Sequence, residues 1–319
     1  MGAALSMTRY GIATINQAMP PKPKFSTDQI PDLTGKVVIV TGGNAGVGKE
    51  TIKALLEHNA KVYMASRSFD KAKAAIEDLK AATGKEALFL QLDLSSLSAV
   101  RKSAEEFLSK EKELHILFNN AGVMRPPIDQ LSEDGYDLQW GTNVIGHFFF
   151  TYLLLPALTA GARSSPDSYS RVVHTSSSAA YACGIDWDTL RDGKKRRSTG
   201  DQMLYGQSKL GNAIVAHEFA KRYSDQGVLS YSCNPGNLST DLYQWASPRV
   251  RNFLNTYILY PVSYGALTQL WAGTMPETIQ YNGEFLIPWA RKGRCRDEVY
   301  DPVVGEKLWN YLLEQVKDK

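Results

Sequence analysis

Tyr205 and Lys209 are four residues apart, a spacing that places both side chains on one face of a helix. A phenol has a pKa of about 10, and a neighbouring ammonium stabilises the phenolate and lowers that pKa. Such a tyrosine can donate a proton to a carbonyl oxygen or remove one from an alcohol. Taken alone, the pair is more often part of an exposed helix surface, so its meaning depends on the surrounding elements.

A glycine-rich segment contains Gly42, Gly46 and Gly48 directly after an apolar run. Residues 43–49 begin like a P-loop, but Glu50 stands where a Ser or Thr must ligate magnesium, and its carboxylate would repel phosphate. In a dinucleotide-binding loop, the glycines instead let the backbone approach a pyrophosphate at the N-terminus of the following helix. The place of the segment after the first strand of a βαβ unit favours the dinucleotide loop over a simple tight connection.

The elements that must position these residues follow from the hydrophobic pattern. Short apolar runs, which are typical of buried strands, occur at residues 37–40, 62–65, 87–92, 116–118, 172–175, 228–232 and 284–287. Apolar residues at helical spacing fall between them, as in Ile52, Leu55 and Leu56, and in Val100, Ala104 and Phe107. This alternation predicts one doubly wound α/β domain over residues 34–319, with a parallel seven-stranded Rossmann sheet covered by helices on both faces. Residues 1–33 contain Pro20, Pro21, Pro23 and Pro31, and we expect an N-terminal arm that lies over the surface or is loose.

Composition excludes several classes of protein. The 319 residues carry 36 Lys and Arg against 33 Asp and Glu, a net charge of +3, which is too balanced to predict nucleic-acid binding. Cys183, Cys233 and Cys295 are widely spaced and odd in number. They predict neither a disulfide framework nor a metal site, and they favour a reducing, cytoplasmic location.

Membrane association is expected to be peripheral if it occurs. The most apolar stretch, residues 144–158, is shorter than the roughly 20 residues that a bilayer requires, and we interpret it as a buried helix. The N-terminal Met-Gly-Ala-Ala-Leu-Ser fits the loose pattern for myristoylation of Gly2, so membrane contact through the N-terminus stays open beside a plain flexible arm.

Several motifs together resemble the short-chain dehydrogenase/reductase family over residues 34–300. The spacing Gly-x3-Gly-x-Gly in residues 42–48 is that of the family's cofactor loop. Further motifs occur in the family's order, namely Asp93-Leu94, Asn119-Asn120-Ala121-Gly122, Asn143, Ser176-Ser177, Tyr205-x3-Lys209 and Pro235-Gly236. Asn44, the region around Arg67 and the long C-terminal segment look most similar to retinol-dehydrogenase-like and fungal NADP-dependent members.

The resemblance implies a catalytic set of Asn143, Ser177, Tyr205 and Lys209. By this resemblance, Tyr205 transfers the proton and Lys209 forms a hydrogen bond to the nicotinamide ribose. Ser177 holds the reacting oxygen of the substrate, and Asn143 anchors a water relay toward Lys209. The neighbours of Ser177 are also serines, and counting from the preceding strand selects the middle one.

The resemblance also implies where the cofactor binds. The implied residues are Gly42, Asn44, Gly46, Val47, Gly48, Ser66, Arg67, Asp93, Leu94, Asn120, Ala121, Gly122, Tyr205, Lys209, Pro235, Gly236, Leu238 and Thr240. His174, in an apolar strand, is interpreted as a core residue, and the basic run at residues 194–197 as a solvated loop.

The end of the second predicted strand indicates which cofactor is used. Enzymes specific for NAD place an Asp or Glu there to bind the ribose 2′-hydroxyl, whereas a nearby Arg accommodates the 2′-phosphate of NADP. This chain has Ser66 and Arg67 at that point and no acidic residue. The sequence therefore predicts NADP.

The substrate is the least defined part of the prediction. Residues 237–260 fall where the family has a substrate lid, and their apolar side chains, with Trp289, favour a lipophilic aldehyde, ketone or alcohol. The same side chains could pack a subunit interface, since the resemblance implies a homodimer or homotetramer. Two alternatives from other classes are a non-catalytic NADP-binding scaffold and a membrane-recruited interaction protein. The retention of Tyr205, Lys209 and Ser177 argues against the scaffold.

Overall fold

A single twisted sheet forms the centre of the molecule, in a computed structural model that describes residues 2–238 and 259–319. Its strands are β1 Val37–Thr41, β2 Lys61–Ser66, β3 Leu88–Gln91, β4 Ile116–Asn119, β5 Ser170–Thr175, β6 Val228–Cys233, β7 Phe285–Ile287 and β8 Arg291–Lys292. The order across the sheet is β3-β2-β1-β4-β5-β6-β7-β8, and every neighbouring pair is parallel except β7 and β8. The doubly wound fold is confirmed.

The sheet has eight strands rather than the seven predicted. The additional strand, β8, has two residues and pairs antiparallel with β7, Ile287 lying opposite Arg291. Two residues are too few to give a period of two in the sequence, which is why the pattern missed this strand.

Helices cover both faces of the sheet. They are α1 Gly2–Ala18, α2 Gly46–Glu57, α3 Phe69–Thr83, α4 Leu97–Lys110, α5 Leu138–Leu153, α6 Leu155–Ser164, α7 Lys194–Ser198, α8 Asp201–Tyr223, α9 Val262–Thr274 and α10 Pro302–Val316. Short 3-10 turns lie at Thr27–Gln29, Ser178–Tyr181, Trp187–Thr189, Ser224–Gln226, Pro276–Tyr281 and Asp297–Val299. Helices α4, α5, α6, α8 and α10 enclose one hydrophobic core, and α2, α3 and α9 enclose the other. Because both faces are covered, the central strands β1, β4, β5 and β6 are buried along their whole length.

The order of the strands reverses beside β1. The chain proceeds from β1 to β2 on one side and later returns to place β4 on the other side. In open α/β sheets a ligand binds in the crevice at the carboxyl ends of the strands, at such a reversal. Thr41 and Asn119 end β1 and β4 at this crevice.

The N-terminal arm follows the first of its two expected alternatives, and its first part is a helix, which the sequence did not predict. On α1, Tyr10 and Ala13 contact the core and Gln17 is only 2% exposed, whereas Ile12 and Ile15 on the opposite face are exposed. Farther along the arm, Phe25, Ile30 and Leu33 are buried. The arm therefore lies over the surface.

The basic run at residues 194–197 is also not the solvated loop expected from its charge. It forms α7, and the guanidinium of Arg196 is buried, where its Nε lies 3.0 Å from Oδ2 of the equally buried Asp137. The adjacent basic residues bind nearby carboxylates, Lys195 to Asp186 and Asp188, and Arg197 to Asp192.

The apolar stretch at residues 144–158 is buried as predicted but is divided between two helices. Helix α5 ends at Leu153, and Pro156 lies in the first turn of α6. In the described parts of the chain, no single helix is long and apolar enough to cross a membrane. Among the described helices, only α5 and α6 taken together have the length and composition of a membrane span, and they are bent by 57° relative to each other.

Candidate active site

A cleft of about 460 Å³ opens at the carboxyl edge of the sheet, where the strand order reverses. Most of the predicted site residues line it: Gly42, Asn44, Gly46, Val47, Ser66, Arg67, Asp93, Leu94, Asn120, Ala121, Gly122, Ser177, Tyr205, Lys209, Pro235, Gly236 and Leu238. Gly48 and Asn143 do not line the cleft, and Thr240 lies outside the described residues.

The glycine loop leads from β1 into α2 across one wall of the cleft. Gly42 has a φ of +66°, and a Cβ there would lie 3.0 Å from the Cα of Ala121. Helix α2 begins at Gly46 without a side-chain cap, so the first backbone N–H groups have no side-chain acceptor. Gly48 does not line the cleft, but it lets α2 approach the glycine loop closely, because a Cβ at Gly48 would be 2.5 Å from the carbonyl oxygen of Gly42. The arrangement fits a pyrophosphate at the N-terminus of a helix.

The P-loop alternative is disfavoured by where its lysine lies. The ammonium of Lys49 binds Oδ2 of Asp78 on α3 at 2.8 Å, and Lys49 does not line the cleft. A P-loop lysine would instead reach the phosphates.

Thr41 holds the floor of the cleft together. Its carbonyl oxygen accepts a hydrogen bond from Nδ2 of Asn120 at 2.8 Å, and its Oγ1 accepts one from the backbone N–H of Ala121 at 2.9 Å. The side chain of Asn120 therefore joins β1 to the loop after β4. The small residues Ala121 and Gly122 leave the floor open to a ligand.

Tyr205 and Lys209 lie on α8 and face the cleft together. The ammonium of Lys209 is 5.7 Å from the centre of the Tyr205 ring and donates a hydrogen bond to the carbonyl oxygen of Thr175 at 2.9 Å. Lys209 is only 4% exposed, and this burial lowers its pKa to about 8. At neutral pH the lysine is still charged, and its positive charge favours an ionised phenol.

The hydroxyls of Ser176 and Ser177 have different hydrogen-bond partners. Ser176 is buried, and its Oγ donates to the carbonyl oxygen of Lys209 at 2.6 Å. Ser177 lines the cleft, and its Oγ accepts a hydrogen bond from the N–H of Ala179 at 3.1 Å, which leaves its proton available to a substrate oxygen. The geometry favours Ser177 over its neighbour as the residue that holds the reacting oxygen.

Asn143 lies behind the cleft wall in a π-helical turn, Gly141–Gly146, within α5. Its Oδ1 accepts from the N–H of Val123 at 2.9 Å, and its Nδ2 donates to the carbonyl oxygen of Val123 and to Oγ of Ser208, each at 3.0 Å. The amide thereby fixes the loop after β4. The water relay implied for Asn143 stays a prediction.

His147 connects the π-helical turn to the cleft floor, a role that sequence reasoning missed. Its Nδ1 is 3.0 Å from the carbonyl oxygen of Asn143, which can only accept, so Nδ1 carries the proton and Nε2 accepts from Oγ1 of Thr41 at 2.9 Å. Burial lowers the pKa of His147 to about 3 and keeps the ring neutral. In sequence this residue is one histidine in an apolar helix, with no motif to mark it.

His174 is the core histidine that the sequence predicted. It is buried in β5 and stacks on Phe219 with 5.9 Å between ring centres. Burial lowers its pKa to about 3.

Ser66 and Arg67, at the end of β2, form the end of the cleft where the adenosine ribose is expected. The hydroxyl of Ser66 is buried and has no hydrogen-bond partner among the described residues, and Arg67 is exposed at the rim. The hydroxyl of Ser68 is used to cap α3, where it accepts from the N–H of Lys71. An orphaned hydroxyl beside a guanidinium fits an anionic ligand group.

Asp93 lines the same region from the loop after β3. Its Oδ1 accepts hydrogen bonds from the N–H and the hydroxyl of Ser95, at 2.9 and 2.6 Å. The contact with the cofactor that the resemblance implies for Asp93 stays a prediction.

Trp289 is buried beside the loop that contains Gly236, and it does not line the cleft. It is 2% exposed, and its ring lies 5.1 Å from that of Tyr260 and 5.3 Å from that of Tyr264. A Cβ on Gly236, whose φ is +87°, would lie 2.7 Å from the Trp289 ring. The expected part of Trp289 in the substrate lid stays a prediction. The predicted lid lies mostly outside the described residues, and Leu242, Tyr243, Trp245, Phe253, Leu254, Tyr257 and Ile258 all belong to that part.

Comparison with known proteins identifies the family. Residues 36–188 match the family described as short chain dehydrogenase. A short-chain dehydrogenase/reductase from Armillaria gallica is 59% identical over 304 residues, which cover 95% of this chain and 97% of that protein. The chain belongs to the short-chain dehydrogenase/reductase family. It is thus an NAD(P)-dependent oxidoreductase.

Solved structures of this family agree on the fold. A protein from Mycobacterium paratuberculosis is 27% identical with a TM-score of 0.70, covering 92% of this chain and 97% of that one. The Pseudomonas aeruginosa RhlG/NADP active-site complex is 23% identical with a TM-score of 0.64, covering 81% and 95%. The family resemblance drawn from the motifs is confirmed, while the closer likeness to retinol dehydrogenases stays a prediction.

Proposed function

We propose that this protein is an NADP(H)-dependent alcohol dehydrogenase or carbonyl reductase that acts on lipophilic aldehydes, ketones or alcohols. The observation that carries the proposal is the convergence of Tyr205, Lys209 and Ser177 on one cleft with the uncapped N-terminus of α2. A proton donor, a fixed positive charge, a hydroxyl and a phosphate-binding helix end are the groups that reversible carbonyl reduction needs.

Each residue of this set has a distinct task in the proposed reaction. The hydroxyl of Ser177 donates a hydrogen bond to the substrate oxygen, and Tyr205 gives that oxygen a proton in reduction or removes one in oxidation. The Lys209 ammonium favours the phenolate form that remains after the proton leaves. The bound nicotinamide supplies or accepts the hydride.

NADP is proposed over NAD because of the cleft end formed by Ser66 and Arg67. A guanidinium binds phosphate through charge-assisted hydrogen bonds, and the buried Ser66 hydroxyl has no other partner among the described residues. No acidic residue stands at the end of β2 to bind a free 2′-hydroxyl. The NADP complex of the structurally similar RhlG is consistent with this choice.

A lipophilic substrate is proposed from the apolar side chains that line the same cleft as Tyr205. Val123, Met124 and Leu238 line the cleft, and the predicted lid that follows Leu238 is rich in aromatic residues. A sugar or a similar polar substrate would require more hydrogen-bonding groups there.

The proposal is tested by following cofactor oxidation by the purified protein with NADPH and NADH in turn. The panel pairs each lipophilic carbonyl, such as pentanal, with a polar one of similar size, such as glyceraldehyde, and includes 4-nitrobenzaldehyde as a further lipophilic aldehyde. We expect turnover with NADPH and a higher kcat/KM for the lipophilic member of each pair. Tight binding of NADPH without turnover of any carbonyl or alcohol would instead indicate a cofactor-binding scaffold.

Assembly and location are part of the same proposal. We expect a cytoplasmic homodimer or homotetramer, and peripheral membrane contact only if Gly2 is acylated. Sedimentation velocity measures the assembly. Mass spectrometry of the N-terminus, combined with cell fractionation, tests the acyl group and the location.

A further inference from the structure

Gln17, near the end of α1, is a buried amide on an element to which the reaction assigns no role. It is 2% exposed and faces the domain, although the helix that carries it is otherwise peripheral. Two further contacts hold this end of the arm in place. Tyr10 lies 5.4 Å from Tyr181 between ring centres, and Oδ1 of Asn16 accepts from Arg291 at 3.0 Å.

Both ends of the Gln17 amide bind side chains from different loops. Its Nε2 donates to the hydroxyl oxygen of Tyr181 at 3.0 Å, and its Oε1 accepts from Nδ2 of Asn234 at 2.9 Å. The Tyr181 hydroxyl in turn donates to the carbonyl oxygen of Arg294 at 2.5 Å, which fixes the direction of the hydrogen bond from Gln17. The amide therefore has a defined orientation.

The two loops that Gln17 joins border the proposed substrate region. Tyr181 ends the 3-10 turn that begins immediately after Ser177. Asn234 follows β6, and its Oδ1 accepts from the N–H of Gly236 at 3.0 Å, in the segment that lines the cleft. One hydrogen-bonded chain thus runs from the loop of the proposed substrate-binding serine, through the N-terminal helix, to the loop that leads toward the lid.

We propose that Gln17 is a positioning residue, which sets the spacing of the Ser177 loop and the Pro235–Gly236 loop across the substrate region. The inference rests on the proposed function for its kinetic consequence, but the coupling between the loops is independent of the substrate. A buried polar group left without its partner is costly. Loss of the amide therefore loosens both loops locally, because both partners lie on loops and neither lies in a strand of the sheet.

The test compares Gln17→Met, which keeps the length of the side chain and removes both hydrogen bonds, with the matched control Asn16→Leu. Asn16 is the adjacent exposed amide, so the control loses the contact of α1 with Arg291 but keeps the hydrogen-bonded chain through Gln17. It therefore separates a general loosening of α1 from loss of the chain. Tyr181→Phe, which removes only the hydroxyl, is a second variant that needs no change in α1. Amide hydrogen exchange is measured for residues 176–183, for residues 234–238 and for the strands β1 and β4.

We expect Gln17→Met to speed exchange about tenfold in both loop segments and to leave β1 and β4 unchanged, whereas Tyr181→Phe affects mainly residues 176–183. With NADPH and 4-nitrobenzaldehyde, KM for the aldehyde rises in Gln17→Met relative to the control. The Kd of NADPH also rises, but by a smaller factor, because only the Pro235–Gly236 loop belongs to the implied cofactor site. The inference would be overturned if the loop segments of Gln17→Met exchanged no faster than those of Asn16→Leu. It would also be overturned if exchange in β1 and β4 became faster by the same factor as in the loops. Faster loop exchange with unchanged KM and kcat would likewise overturn it. Loop exchange as expected in a protein without turnover would refute the proposed function and leave the coupling of the loops standing.

Discussion

At the scale of single residues, Lys209 combines a chemical advantage with a cost in stability. Its ammonium is buried beside the Tyr205 ring, and burial lowers its pKa to about 8 from the ordinary 10.5. Between these two values the unfolded chain holds more protons than the folded one. The free energy of unfolding therefore rises with pH through this interval.

Lys209→Met should separate these two effects. Without the ammonium, the pH at which alcohol oxidation reaches half its maximal rate should move upward, because the phenol must ionise unaided. The rise in unfolding free energy between about pH 8 and 10.5 should also shrink. The measurements are the pH dependence of kcat for oxidation of 4-nitrobenzyl alcohol, with hydride transfer limiting, and denaturant unfolding at several pH values.

His174→Gln is the control for Lys209→Met. His174 is neutral in the folded protein because burial lowers its pKa to about 3. Its replacement should leave the midpoint of the rate profile in place even if stability falls. A midpoint that moves with His174 and not with Lys209 would refute the phenol–ammonium pair.

The prediction that the protein uses NADP rather than NAD depends on Arg67. Arg67→Glu removes a charge-assisted contact to the 2′-phosphate and adds a repulsion, so NADPH binding should weaken by roughly 2–3 kcal/mol while NADH binding changes little. Titration of both cofactors into the wild type and the variant measures the difference. Equal affinity of the wild type for NADH and NADPH would contradict the prediction at the outset.

At the scale of elements, the cofactor end of the cleft depends on how closely α2 approaches the loop that precedes it. A Cβ on Gly48 would lie 2.5 Å from the Gly42 carbonyl oxygen and 2.6 Å from Nδ2 of Asn120. The first of these atoms is backbone and cannot rotate away. The start of α2 must therefore shift when this glycine is replaced.

Gly48→Ala should destabilise the protein by about 1–3 kcal/mol, although alanine is the better helix former, and it should weaken NADPH binding. Gly193→Ala is the matched control, because no atom lies within 4 Å of a Cβ at Gly193. Thermal unfolding and NADPH titration of the two variants provide the comparison. Wild-type behaviour of Gly48→Ala would show that the close approach of α2 is not required.

The elements also show how far the sequence could predict this molecule. The strand runs and the Gly-x3-Gly-x-Gly spacing are local patterns, and they correctly predicted the parallel strands and the α2 end of the cleft. The contacts of Gln17, Arg196 and His147 could not be predicted, because each binds a residue distant in sequence: Gln17 binds Tyr181 and Asn234, Arg196 binds Asp137, and His147 binds Thr41. Helix α1 was missed because prolines elsewhere in the arm dominated its interpretation.

At the scale of the whole molecule, a buried ion pair joins segments far apart in the chain. Asp137 caps the start of α5 by accepting from the N–H groups of Gln139 and Trp140, and its other oxygen binds Arg196 of α7. Arg196 also donates to the carbonyl oxygen of Gln130 at 2.9 Å. The pair thus ties the insertion before α8 to the helix that carries Asn143.

Arg196→Ala should therefore destabilise the protein by about 3–5 kcal/mol, because it leaves the Asp137 carboxylate buried without its partner. The adjacent Lys195→Ala removes two exposed ion pairs, with Asp186 and Asp188, and should cost at most about 1 kcal/mol. Denaturant unfolding of both variants measures the difference. A similar, small loss in both would mean that the basic run is the solvated segment its composition suggests.

The most direct test of the account as a whole is the single-turnover rate of NADPH oxidation by 4-nitrobenzaldehyde in the wild type and in Tyr205→Phe. The substitution keeps the ring beside Lys209 and removes only the hydroxyl group, and with it the proton that the substrate oxygen would receive. The account predicts an unchanged Kd for NADPH and a rate of the chemical step lower by about 10²-fold or more. A near wild-type rate in Tyr205→Phe, with chemistry shown to limit the turnover, would mean that another group supplies the proton. Tyr205 would then not be the proton donor of this cleft.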